Sequence, residues 1–271
     1  MPVSFIDDPS DHRFADYRNI PDQELVRSRG VFVAEGRLVV RRLLQSTFDT
    51  RSVLVTRPAF DSVADLTATR PDLPVYVAAP EVISAVAGFN IHRGCLAIGT
   101  RPAPRTWSGL VAAATRLVAL ERVGNADNVG TSFRCAAAFG IDGVLLGPGC
   151  ADPLYRKAIR TSMGAALQVP FATAEPWPDA LTRLRDNGWA VVGLTPAAEA
   201  APVSRVLTSA PSARTVLMLG HEGDGLSEGA MRACTHLARI PMARGVDSLN
   251  VSMAVAVALY ELTRATYTQA P

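Results

Sequence analysis

Three polar clusters, each following an apolar run, hold the side chains of this sequence that could do chemistry. In the first, NADNVGTSFRCAAAFG (Asn125 to Gly140), Arg134 stands in an otherwise small and apolar stretch of Phe133, Cys135, Ala136, Ala137 and Ala138. A guanidinium placed there either snorkels to solvent or reaches toward an anion that its planar fork can grip through two hydrogen bonds. The spacing puts Asn128 at the mouth of that helix, where a side-chain oxygen can satisfy an orphan N–H, and Gly130 permits close approach to the backbone. The second cluster, VLMLGHEGDGLS (Val216 to Ser227), sets Glu222 in a loop with Gly220, Gly223 and Gly225, and Ser227 is suited to cap the next helix. Its glycine spacing differs from the G-x-G-x-x-G phosphate loop, and Glu222 is also readable as a solvated loop acid. The third, IPMARGVDSLNVSMA (Ile240 to Ala254), offers Ser248 and Asn250 ahead of a long apolar helix, either of which would serve as its N-cap.

Apolar runs that alternate with helical patterns must position these clusters. From residue 31 the pattern predicts strands at Val31 to Ala34, Val53 to Thr56, Val75 to Ala78 and Leu96 to Gly99. Helices are expected between them near Arg37 to Gln45, Phe60 to Thr69 and Glu81 to Ala87, which makes a small α/β domain. The proline- and arginine-containing TRPAPRTW (Thr100 to Trp107) reads as a linker, dividing the chain into residues 1–105 and 106–271. Beyond it, strands are expected at Leu117 to Val123, Gly143 to Leu146, Val169 to Ala172, Ala190 to Leu194, Val216 to Gly220 and Leu237 to Ile240. Strands separated by helices imply a mostly parallel sheet covered on both faces, closed by a helix over Val251 to Arg264 that buries one side. Each polar cluster then lies at the C-terminal end of a strand, the place where open α/β sheets bind ligands.

The 271 residues are 48% hydrophobic and 19% charged with a net charge of +2, which suits a folded chain of one or two domains and excludes a polycation. Of 27 basic residues only Lys157 is a lysine, a usage compatible with phosphate recognition and equally with an arginine-rich coding bias. Arg27, Arg29, Arg37, Arg41 and Arg42 fall in one short stretch with Glu24 and Glu35, either a patch able to meet a phosphate backbone or a solvated face. The four cysteines and four histidines show no metal-ligand spacing, so neither a metal site nor a disulfide framework is expected. No basic leader or long apolar run is present, and the expectation is a soluble, cytoplasmic protein without membrane contact.

Taken together, Asn125, Asn128, Gly130, Arg134, Ala136, Phe139 and Gly140, then Leu219, Gly220, Glu222, Gly225 and Leu226, then Ile240, Pro241, Met242, Ser248, Leu249, Asn250, Val251, Ser252 and Ala254 with Leu259, Tyr260 and Glu261, resemble the three motifs of the SpoU branch of the SPOUT methyltransferases. The likeness runs from about residue 115 to 265. It implies transfer of a methyl group from S-adenosylmethionine to a ribose 2′-hydroxyl of RNA, by a homodimer whose C-terminal domain carries a trefoil knot. VFVAEGRLVVRRLL (Val31 to Leu44) is similar to the start of the SpoU substrate-binding domain, which favours ribosomal over transfer RNA as substrate; no DNA partner is expected. By position, the resemblance makes Arg134 the catalytic arginine and Asn128, Glu222, Ser248 and Asn250 its polar companions. It places the cofactor against Leu194, Thr195, Gly220, Ile240, Met242 and Leu249, with the arginine supplied by the partner protomer.

The sulfonium methyl is already a strong electrophile, so the protein's task would be orientation and proton management. A guanidinium is protonated at neutral pH, which makes stabilising the developing alkoxide and gripping the adjacent phosphate easier for an arginine than acting as a base. The competing classes are a tRNA 2′-O-methyltransferase and a non-catalytic RNA-binding module on the same fold. A dinucleotide enzyme would instead carry its glycine-rich loop after the first strand of the sheet.

Overall fold

Valine- and leucine-rich runs are strands, and the amphipathic stretches between them helices, in the computed structural model, which describes residues 3–18, 21–88, 94–209 and 214–268. The first part of the chain gives β1 (Val3–Phe5), β2 (Val31–Glu35), α1 (Arg37–Gln45), β3 (Thr50–Val55), α2 (Arg57–Phe60), α3 (Ala64–Ala68), β4 (Val75–Val77), α4 (Pro80–Ala87) and β5 (Cys95–Thr100). There follow α5 (Trp107–Ala112), β6 (Arg116–Leu120), α6 (Ala126–Ala138), β7 (Gly143–Leu146), α7 (Arg156–Thr161), β8 (Phe171–Thr173), α8 (Asp179–Asp186) and β9 (Ala190–Leu194). The last elements are β10 (Ala201–Pro202), α9 (Val203–Ser209), β11 (Thr215–Leu219), α10 (Glu228–Ala233), β12 (His236–Arg239) and α11 (Val251–Thr268). Among the described residues no helix is long and apolar enough to cross a membrane.

The chain forms two compact units, and their boundary is not a single cut. Residues Met1–Ala103 are joined by Asp152–Gln168, while Pro104–Ala151 and Val169–Pro271 make the other unit. The second-half segment is tied down by charge and by backbone. Glu35 at the end of β2 faces Arg160 Nη1 at 3.6 Å and Arg156 Nε at 4.0 Å, and Arg42 Nη1 donates to the Met163 carbonyl at 2.6 Å. A split at residue 105 misses this excursion, because nothing local in Asp152 to Gln168 announces that its partners lie 120 residues upstream.

In the first unit the sheet order is β1-β4-β3-β5-β2, with β1, β4 and β3 parallel and β5 antiparallel to both β3 and β2. β1 lies within the proline-broken acidic N-terminus, where no strand is expected. It becomes an edge strand by pairing Val3 with Val75 and Phe5 with Val77, and an edge is where short, irregular strands are tolerated. The helix expected over Phe60 to Thr69 is instead two pieces, α2 and α3, separated at Asp61–Val63. Phe14, Tyr17, Leu25, Leu54, Ile83, Leu96 and Ile98 form the core, and the Tyr17 hydroxyl meets Ser52 Oγ at 2.8 Å. That bond removes the cost of burying a phenol.

In the second unit the sheet is wholly parallel, in the order β10-β12-β9-β11-β6-β7-β8. Two late strands enter beside strands already laid down: β11 between β9 and β6, and β12 between β10 and β9. One face packs Leu117, Ala119, Leu145, Val191, Val216 and Met218 against Leu181, Leu184, Ala230 and the buried Trp189. α11 packs on α6, α9 and β11, burying Val251, Val255, Ala258 and Leu259 on one face as the repeat of apolar residues requires.

Candidate functional site

Gly220, at the end of β11, starts a loop that folds tightly on itself. His221 N donates to the Gly225 carbonyl at 3.1 Å and Gly225 N returns a bond to the His221 carbonyl at 3.0 Å. A Cβ on Gly220 would lie 2.3 Å from the carbonyl carbon and oxygen of Gly225, so only glycine fits. The His221 ring completes the turn, its Nδ1 accepting from Gly223 N at 3.0 Å and Asp224 N at 3.3 Å. The ring is thereby left with Nε2 as its donor when neutral.

The loop is anchored from β6. Glu121, fully buried, accepts from Trp177 Nε1, Ser227 N and Ser227 Oγ, each at 2.7 Å. Ser227 Oγ in turn caps α10 by accepting from Ala230 N at 3.2 Å, the capping role its spacing suggests. Arg122, held at φ 56°, donates through Nη2 to the Gly225 carbonyl at 3.2 Å. Motif spacing singles out neither Glu121 nor Arg122. The one signal is an acid closing the apolar run LVALE, where burial without partners would be costly.

A cavity of about 430 Å³ opens at the C-terminal ends of β9, β11 and β12, walled by this loop, by Leu194–Pro196 and by the segment from Ile240 to Leu249. Leu194, Thr195, Gly220, Ile240, Met242 and Leu249 all line it, as do Glu222 and Ser248. Leucine, isoleucine and methionine residues line it beside the polar His221, Glu222, Asp224, Asp247 and Ser248, a mixture that suits a ligand with one flat apolar ring and several polar edges.

Glu222 belongs also to a polar knot of side chains. Asn128 Nδ2 donates to Glu222 Oε1, and Asn250 Nδ2 lies 3.1 Å from both that oxygen and Asn128 Oδ1. Asn250 is fixed from behind, its Oδ1 accepting from Ser252 N at 3.0 Å and from the buried Ser252 Oγ at 2.6 Å. It is thus the residue that caps α11, and Ser248 is left exposed on the cavity wall. Asn128 is not a cap. Asn125 fills that position, accepting from Asp127 N at 2.9 Å, which places Asn128 inside the first turn of α6 and frees its amide for Glu222.

Arg134 stands apart. It is exposed on α6 and makes no hydrogen bond or ion pair with Asn128, Glu222, Ser248 or Asn250. In the first unit, three of the five clustered arginines are committed internally. Arg41 pairs with Asp65 at 2.6 Å and Arg29 with Glu24 at 2.9 Å, while Arg42 holds Met163. Arg27 and Arg37 are exposed and make no hydrogen bond or ion pair among the described residues. Also among the described residues, no three His, Cys, Asp or Glu side chains converge as metal ligands.

The site is thus a cavity outside the strand ends of an open parallel α/β sheet, the place where such sheets bind ligands. Residues 115–260 match the SpoU rRNA Methylase family, and the chain belongs to that family of RNA methyltransferases. It is 38% identical over 268 residues to an uncharacterised tRNA/rRNA methyltransferase of Mycobacterium tuberculosis H37Rv, covering 97% of this chain and 93% of the relative. Among solved structures, it is similar to an AdoMet-bound rRNA methyltransferase from Sinorhizobium meliloti, with TM-score 0.80, 27% identity and coverage of 97% and 98%. It also shares the fold of a SpoU methyltransferase from Streptomyces viridochromogenes solved with AdoMet, at TM-score 0.79, 22% identity and coverage of 95% and 100%.

Proposed function

We propose that this protein transfers a methyl group from S-adenosylmethionine to a ribose 2′-hydroxyl of ribosomal RNA. The observation that carries the reading is the adjacency of the cavity to the Asn128–Glu222–Asn250 cluster, through Glu222, which belongs to both. The cavity fits the cofactor by volume, since pockets for ligands of this size run from about 300 Å³ upward, and by its mixture of apolar and polar lining residues. Leu194, Ile240, Met242 and Leu249 would pack the adenine, and the backbone at Thr195 and Gly220 would meet its polar edges. The bound cofactor supplies an activated methyl group.

The remaining work falls to this chain's side chains. Asn250, locked by Ser252 and Glu222, presents a rigid amide at the cavity's edge, and rigidity is what orientation requires. Ser248, exposed on the cavity wall and without a hydrogen-bond partner among the described residues, is available to the ribose. Arg134 would grip the phosphate beside the target nucleotide and stabilise the oxygen as its proton leaves. Its outward position fits a site completed by a second protomer. On α11, Met253, Val257 and Tyr260 form a stripe one turn apart, 57%, 38% and 57% exposed, the kind of surface that a homodimer covers. The insertion of β11 and β12 beside strands already placed fits a C-terminal trefoil knot. The first unit, with Arg27 and Arg37 uncommitted, would hold the RNA.

The reading is tested by incubating the full chain with methyl-labelled S-adenosylmethionine and ribosomal RNA, transfer RNA or DNA. Label is expected in ribosomal RNA. Label in transfer RNA alone would replace the substrate, and label in none would remove the activity.

A further inference from the structure

In the first unit a second cavity, of about 360 Å³, lies at the C-terminal ends of the three parallel strands β1, β4 and β3. Phe5, Asp7, Thr56, Arg57 and the turn Val77–Pro80 line it. Phe5 is the anomaly. It is 63% exposed, whereas Phe14, Phe32 and Phe133 are wholly buried. The Arg57 guanidinium sits over one face of its ring, 5.4 Å from the centroid, and the ring stays largely open to solvent.

The charges of the segment that follows β1 are selectively occupied. Asp8 accepts from Ser10 N and Oγ at 2.8 and 2.7 Å, and Asp11 pairs with Arg13, whose guanidinium lies 5.9 Å from the Tyr76 ring centroid. Asp7 and Arg57, on the cavity wall itself, make no hydrogen bond or ion pair among the described residues. An oriented aromatic face, a guanidinium plane and a free carboxylate in one hollow match a single flat heterocycle with N–H donors on its edge. A phosphate finds one cation there beside one anion, and an apolar protein side chain leaves the carboxylate unused.

We infer that this hollow takes one unpaired nucleobase of the RNA substrate, stacked on Phe5 and Arg57 and read by Asp7. Guanine is preferred, because its N1–H and exocyclic amine present two adjacent donors to the two carboxylate oxygens. Single-stranded RNA is recognised in this manner, by stacking on aromatic or guanidinium planes and hydrogen bonding along the base edge. The inference rests on RNA being the substrate. It adds a contact remote in sequence from the three motifs.

The test uses the full chain and fluorescent oligouridylates carrying one central guanosine or one central adenosine, with bulk ribosomal RNA as a second probe. The guanosine oligomer is expected to bind more tightly than the adenosine one. Phe5→Ala should weaken it about tenfold or more while Phe5→Trp retains it, and Asp7→Asn should erase the difference between the two bases. Melting temperature and S-adenosylmethionine affinity should not move, since Phe5 is exposed and the cofactor cavity lies in the other unit. Binding of RNA unaltered by Phe5→Ala would overturn the inference and leave the methyltransferase reading standing. A wild-type chain that binds S-adenosylmethionine but neither oligomer nor ribosomal RNA would overturn both.

Discussion

Asn128 and Arg134 stand on the same helix six residues apart, and one is buried against Glu222 while the other is exposed. Six residues of α-helix turn the side-chain direction to about 120° away, so the two side chains leave the helix toward different surroundings. The functional expectation is a shared site. Mixing Arg134→Ala with Asn250→Ala protomers, each inactive alone, should restore roughly a quarter of wild-type activity, because one site in each mixed dimer is intact. No recovery after verified subunit exchange would place the arginine in cis.

Arg134→Ala by itself is expected to abolish methyl transfer and leave S-adenosylmethionine affinity within a few-fold, since Arg134 lies off the cavity wall. Calorimetry alongside a transfer assay separates the two. Loss of both in proportion would mean that the arginine supports the cofactor.

The glycine loop gives a paired comparison. Gly220→Ala puts a methyl group 2.3 Å from Gly225, and the loop must open, with cofactor affinity expected to fall at least tenfold. Gly223→Ala meets only the His221 ring, at 3.5 Å, and should bind nearly as the parent does. Equal losses in both variants would show that the loop geometry is not what holds the ligand.

Glu121 is legible as a role only in three dimensions. Its carboxylate takes three hydrogen bonds, two of them from Ser227 at the exit of the loop. Glu121→Gln brings an amide N–H against a backbone donor, and is expected to cost about 2 kcal/mol in unfolding free energy and to raise the Kd for S-adenosylmethionine. A variant that loses stability with unchanged cofactor affinity would confine Glu121 to the scaffold.

How much the sequence disclosed differs from place to place. The strands and the long helices follow from apolar periodicity, and the three polar clusters do converge on one sheet end because parallel α/β topology leaves them no other place. Partners distant in sequence are another matter: no local pattern tells Arg42 that it will hold the Met163 carbonyl, 121 residues on, or Arg41 that Asp65, 24 residues on, will neutralise it. The basic stretch from Arg27 to Arg42 therefore reads as a patch in one dimension and as mostly internal pairing in three. Asn128 illustrates the same limit at short range, since Asn125 competes for the cap and wins.

Burial pushes the thiols of Cys95 and Cys234 up to about 12 and that of Cys150 to about 11. A raised native value means that the fold disfavours the thiolate. Their contribution to stability is whole below the ordinary value near 9 and is lost as pH rises from there toward 11 and 12. Denaturant unfolding should show no thiol-linked change from neutral pH to about 9 and a decline above it. Thiolate absorbance developing in the folded protein near pH 9 with the amplitude of more than one thiol, Cys135 being only half-buried, would contradict the burial.

The central claim, methylation of a ribose hydroxyl, is decided most directly by digesting RNA methylated by this protein to nucleosides and identifying the product by mass spectrometry. The expected product is a 2′-O-methylnucleoside, found also as a dinucleotide that resists alkaline hydrolysis, absent when Arg134→Ala replaces the wild type. A methyl group located on a base, with the sugar unmodified, would contradict the account.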